Sequence, residues 1–149
     1  MEIKLGIGLG EIKFGISEDN LKNILGTPYG FEENEYKKGL GFVRMYYYSD
    51  FRLTFCFESK HNYRLTDIFV SEKGHLLNGV DLFGMNMQLV EKHLKELQLG
   101  DSKLEEIMSD DFFIDFREDN IRFHFETEKL SDIQFGCDYL DDETPIWPI

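Results

Sequence analysis

Two stretches of the chain alternate strictly between apolar and polar side chains. Phe51, Leu53, Phe55 and Phe57 are interleaved with Arg52, Thr54, Cys56 and Glu58, and Ile121, Phe123 and Phe125 with Arg122, His124 and Glu126. Period two is the signature of a strand with one buried face. Partner strands are predicted on either side, at residues 42–48 and 64–70 around the first and at 111–116 and 130–136 around the second. Helical spacing occurs twice, as Leu21 and Leu25 and as Leu89, Val90, Leu94 and Leu97, the latter set expected on one side of its helix. Ser17 and Asn86 are good N-caps, because each offers a side-chain oxygen to the free N–H groups of a first turn. Ile16 with Leu21, and Met85 with Val90, have the spacing of a hydrophobic staple. Gly26, followed by Pro28, is expected to stop the first helix, and Gly100 the second.

These elements recur. Phe14-Gly15-Ile16 matches Phe83-Gly84-Met85 at an offset of 69, and Leu53, Phe55, Phe57 and Glu58 match Ile121, Phe123, Phe125 and Glu126 at 68. Leu65-Thr66-Asp67-Ile68 matches Leu130-Ser131-Asp132-Ile133 at 65. Shortened turns account for the falling offset, so the pattern predicts a duplicated unit. The expected fold class is α+β: two tandem repeats, each a helix plus an antiparallel three-stranded meander, at about residues 11–71 and 79–137. Each unit is expected to be joined by a short strand of its own, near Ile12 in the first or Val80 in the second, and the helices to pack on one face of antiparallel sheet. The join at residues 71–79 is short and contains Leu76 and Leu77, so residues 1–149 are expected to form a single compact domain with a tail at 138–149.

Composition agrees with a folded chain. Hydrophobic residues make up 42% and aromatics 15%, including 14 Phe and 7 Tyr, which excludes disorder for most of the length. The opening residues lack the basic start and continuous apolar run of a secretory signal, and no stretch has the ~20 apolar residues needed to span a bilayer. A cytoplasmic protein with no membrane association is the expectation. The net charge of −13 lies almost wholly in the second half: residues 1–74 carry 11 acidic and 10 basic side chains, residues 75–149 carry 18 and 6. Such a field repels nucleic acid and speeds the approach of a basic protein.

No catalytic constellation is apparent. His61, His75, His93 and His124 show no metal-ligand spacing; His93 takes the position of Ile24, which is expected to face the core, and His124 that of Cys56. Gly6-Ile7-Gly8-Leu9-Gly10 lacks the spacing and the following helix of a phosphate loop, and is expected to permit a bend before a strand at residues 11–14. Cys56 and Cys137 fit neither a disulfide framework nor a zinc site, and are expected to be buried. Asp110-Asp111 and Asp141-Asp142 match no calcium loop. Asp67 and Asp132, held at equivalent positions, are expected to serve the repeated architecture. Neither a cofactor nor a metal is expected, and no enzyme activity. The feature left for function is a docking face for a basic partner, made by Asp101, Glu105, Glu106, Asp110, Asp111, Asp115, Glu118, Asp119, Asp141, Asp142 and Glu143, with Tyr139 and Trp147 as aromatic anchors.

The run Glu11-Ile12-Lys13-Phe14-Gly15-Ile16-Ser17, followed by Leu21, Leu25-Gly26 and Pro28, the strand Tyr46-Tyr47-Tyr48, Leu53-Thr54-Phe55 and Leu65-Thr66-Asp67-Ile68, resembles small bacterial immunity proteins found with polymorphic toxins, including those of contact-dependent inhibition systems. The tandem layout is similar to the β-lactamase-inhibitor-like fold, whose exported inhibitors have a signal and disulfides that this sequence lacks. The resemblance implies an immunity protein that neutralises a cognate toxin domain by occlusion, with a nuclease as the toxin whose basic surface suits an acidic inhibitor; the sequence leaves the oligomeric state open, with a monomer favoured. The alternative is a non-catalytic interaction or assembly module with an unrelated partner.

Overall fold

A computed structural model describes all residues, 1–149. Short strands open the chain: β1 (Glu2–Lys4), β2 (Gly8–Leu9) and β3 (Ile12–Lys13). Helix α1 (Glu18–Leu25) leads into a meander of β4 (Gly30–Lys37), β5 (Gly41–Tyr48), β6 (Leu53–Glu58) and β7 (Arg64–Val70). After β8 (Leu76–Leu77), helix α2 (Met87–Leu94) leads into a second meander: β9 (Lys103–Met108), β10 (Asp111–Phe116), β11 (Ile121–Glu126) and β12 (Lys129–Gly136). A two-strand hairpin, β13 (Asp138–Tyr139) and β14 (Pro145–Ile146), closes the order.

The meanders share one eight-stranded antiparallel sheet in the order β4-β5-β6-β7-β12-β11-β10-β9. They meet where Val70 faces Ile133 and Ile68 faces Phe135. A smaller sheet, β3-β2-β1-β8, pairs the start of the chain with the join between the two halves. The structure therefore has helices on antiparallel sheet, as the α+β expectation states. Each meander has four strands rather than three, because β4 and β9 form the two outer edges.

Alternation decides which sheet face is covered. Phe55, Phe57, Phe123 and Phe125 are fully buried in one core with Leu21 of α1 and Val90 of α2. Helices of only 8 residues are too short to persist alone, so tertiary contacts must hold them. The Tyr46 hydroxyl donates to Glu18 at 2.7 Å and the Tyr48 hydroxyl to the Gly26 carbonyl at 2.9 Å, pinning both ends of α1 to β5. Both predicted caps are present: Ser17 Oγ accepts from the Asn20 N–H at 3.2 Å and Asn86 Oδ1 from the Leu89 N–H at 2.9 Å.

The two Phe-Gly-x segments dock alike. Gly15 N–H donates to the Leu65 carbonyl and Leu65 N–H to Ile16; Gly84 N–H donates to Leu130 and Leu130 N–H to Met85. Both glycines have positive φ, 90° and 84°, a backbone turn that disfavours a side chain and aims the following cap at its helix. Three details differ from expectation. Ile24 and Leu89 are exposed, since two-turn helices bury only a narrow stripe. The second helix ends at Leu94, runs through a 3₁₀ turn at Lys95–Leu97 and stops at Gln98 in the left-handed region, before Gly100.

Candidate functional site

The sheet face opposite the helices carries the polar chemistry. Register places Thr54, Cys56 and Glu58 of β6 beside Asp67 and Phe69 of β7, and Arg122, His124 and Glu126 of β11 beside Asp132 and Gln134 of β12. Each pair of strands has a β-bulge at the same place, after Cys56 and after His124. The extra residue is Thr66 in one and Ser131 in the other, and each re-aims the aspartate that follows it.

In the second meander the bulge assembles a polar cluster around His124. Its Nδ1 lies 2.7 Å from Asp132 Oδ2 and 3.3 Å from Ser131 Oγ, while its Nε2 lies 2.5 Å from Asp111 Oδ1 on β10. Ser131 Oγ donates within reach of both the His124 carbonyl at 3.2 Å and Asp132 Oδ2 at 3.0 Å. Phe113 stacks on the imidazole at 4.4 Å, and Arg122 in turn lies over Phe113 at 4.5 Å. Burial alone would lower the His124 pKa, yet the hydrogen bonds to Asp132 and Asp111 outweigh it and the value is raised.

The first meander has the same layout with different chemistry. Burial pushes the Asp67 carboxyl up to about 7, with the neighbouring Glu58 adding to the rise. Thr66 Oγ1 donates to the Cys56 carbonyl at 3.4 Å and lies 3.3 Å from Glu58 Oε1. Burial raises both thiols, Cys56 strongly and Cys137 to about 12, so neither is a thiolate nucleophile at neutral pH. The tail covers this region: Cys137 N–H donates to the Thr66 carbonyl at 3.0 Å, and Tyr139 reaches His61 at 6.0 Å between ring centres.

The predicted docking residues do not form one face. Glu105 and Glu106 lie exposed on edge strand β9, with Asp101 before it and Asp110 in the turn after it. Asp111 is engaged by His124, and Asp115 and Glu105 flank Arg122 at 3.9 and 3.6 Å. Asp119 accepts from the Gly100 N–H at 2.7 Å. Glu118, Asp141 and Asp142 line a separate cleft with Arg117 and Asn120; Asp141 also accepts from the Glu143 and Thr144 N–H groups, both at 2.9 Å. Glu143 lies beside Lys60 and His61 in another cavity. Tyr139 and Trp147 are half-buried: both pack against the chain's own core, and Arg64 lies over the Trp147 ring at 4.7 Å.

His124 is the residue that sequence reasoning passed over. The one signal available was the shared Asp67 and Asp132 position, which becomes informative only when the hairpin register is known. By geometry the chain is an antiparallel α+β protein with a polar sheet face and two exposed strand edges. Comparison with protein-family models, curated proteins and solved structures found no match.

Proposed function

We propose that this protein is a cytoplasmic immunity protein that binds a basic toxin domain, a nuclease by preference, and blocks it by occlusion without catalysis. Edge strand β9 is the observation that carries the reading. All of its residues, Lys103–Met108, are exposed, and Leu104, Ile107 and Met108 present apolar side chains of 51–68% exposure. Glu105 and Glu106 sit among them, and Asp101 and Asp110 flank the strand. An edge with free backbone groups accepts an added strand, and the surrounding carboxylates select a basic one. That the chain has no helix long and apolar enough to cross a membrane is compatible with this setting.

We also infer that the two halves arose by duplication of one helix-plus-meander unit. Support comes from the equivalent caps, the equivalent Phe-Gly-x docking and the equivalent bulges. The functional reading is tested by the double substitution Glu105→Lys with Glu106→Lys. Complex formation with the toxic domain encoded beside this gene should be lost while the thermal unfolding midpoint stays within a few degrees. An unchanged affinity would remove β9 from the interface.

A further inference from the structure

The cluster around His124 has the donor set and the outer support of a divalent-metal centre. One ligand atom from each of His124, Glu126 and Asp132 lies within 4.8 Å of the other two. His124 Nδ1 is 2.7 Å from Asp132 Oδ2 and 3.8 Å from Glu126 Oε1. Donors bound at ~2.0 Å to a tetrahedral ion stand about 3.3 Å apart. The two separations from Nδ1 bracket that value, and the two carboxylates lie within 4.8 Å of each other, so side-chain rotation is what closes the three donors on one ion.

The far side of the ring supplies an independent observation. Asp111 faces Nε2 at 2.5 Å and Asp132 faces Nδ1 at 2.7 Å, so an ion entering at Nδ1 would displace the proton shared with Asp132 to solvent and leave Nε2–H donating to Asp111. A carboxylate on the distal nitrogen of a histidine ligand is the usual outer partner of a metal-bound imidazole. Phe113 holds the ring plane, stacked at an interplanar angle of 20°. The His124 side chain is 13% exposed while that of Glu126 is 59% exposed, so a stacked nitrogen ligand lies beneath a solvent-facing carboxylate at the entrance.

We propose that His124, Asp132 and Glu126 bind a divalent transition-metal ion of the zinc type, with water completing the coordination and Asp111 as the positioning residue for the imidazole. Once the ion has displaced the Nδ1 proton, two carboxylates and a neutral imidazole balance a dication. One nitrogen and two oxygen donors suit zinc better than calcium or magnesium, which take oxygen ligands in larger number. The equivalent place in the first meander offers Cys56, Asp67 and Glu58 with no histidine, and the tail covers it.

The test is calorimetric titration of chelator-treated protein with zinc chloride, alongside thermal unfolding with and without the ion. The expected result is one ion per chain with a micromolar dissociation constant and a raised unfolding midpoint. Asp111→Asn should weaken binding about ten- to a hundredfold without changing the stoichiometry. Asp132→Asn should weaken it further. Glu126→Gln, an exposed change that the fold tolerates, should also lose at least tenfold, which keeps the test informative if Asp132→Asn unfolds. Absence of binding in the wild type, or equal affinity in Glu126→Gln and wild type, would overturn the proposal and leave His124 as a clamp between strands.

Discussion

Replacing Asp67 by Asn should stabilise the protein at neutral and alkaline pH. In the fold this carboxyl sits among Cys56, Thr66 and Glu58 under the tail, and its pKa is raised from 3.8 to about 7. In the unfolded chain it returns to the ordinary value. Below pH 4 both states hold the proton and Asp67 costs nothing. Between about pH 4 and 7 the unfolded chain gives up the proton while the folded one retains it, so the contribution of Asp67 to stability falls as pH rises. The full loss, at about 1.4 kcal/mol per pH unit over that interval, is on the order of 4 kcal/mol. An Asn amide keeps a donor for Glu58 and never ionises. Urea unfolding of both proteins from pH 4 to 8 isolates the effect, since other titrating groups cancel in the difference. The variant should be close to wild type at pH 4 and more stable by several kcal/mol at pH 8. A difference that does not change with pH, or an Asp67 carbon resonance titrating near pH 4, would refute the reasoning.

Further substitutions test the packing. Phe123→Ala empties a fully buried position in the shared core and should cost about 3–5 kcal/mol in denaturant unfolding. Gly15→Ala places a Cβ 2.9 Å from the Trp147 ring at φ +90° and should cost about 1–3 kcal/mol, less if combined with Trp147→Ala. Asn86→Ala removes the cap of α2 and should cost about 1 kcal/mol, with the exchange protection of the Leu89 amide lost first.

Much of the fold was legible because the core strands obey period two. The Phe55 and Phe123 strands, both caps and both Phe-Gly-x segments follow directly from side-chain pattern. Edge strands β4 and β9 were illegible for the opposite reason. Gly30-Phe31-Glu32-Glu33-Asn34-Glu35-Tyr36-Lys37 is half-buried only at Gly30, and Lys103–Met108 is exposed throughout, so no buried face imposes an alternation on them. The His124 cluster was hidden by its turn. Thr127 and Glu128 both have positive φ, 51° and 66°, in a two-residue hairpin turn that ordinarily carries Asn or Gly. Without that signal the β11–β12 register is unreadable, and with it the pairing of His124 with Asp132. The packing of the tail was not legible either, because an aromatic in a Pro-rich acidic segment has the same composition whether or not it also rests on its own core, as Trp147 does.

The proposed immunity function is tested by co-expressing this protein with the C-terminal domain of an adjacent large gene, assayed for toxicity, and measuring survival, then association kinetics of the purified pair across a salt series. Rescue with a complex on the order of nanomolar affinity, and an association rate that falls steeply with ionic strength, is the predicted result. No rescue and no complex would contradict an immunity function, and a salt-independent association rate would contradict acidic steering.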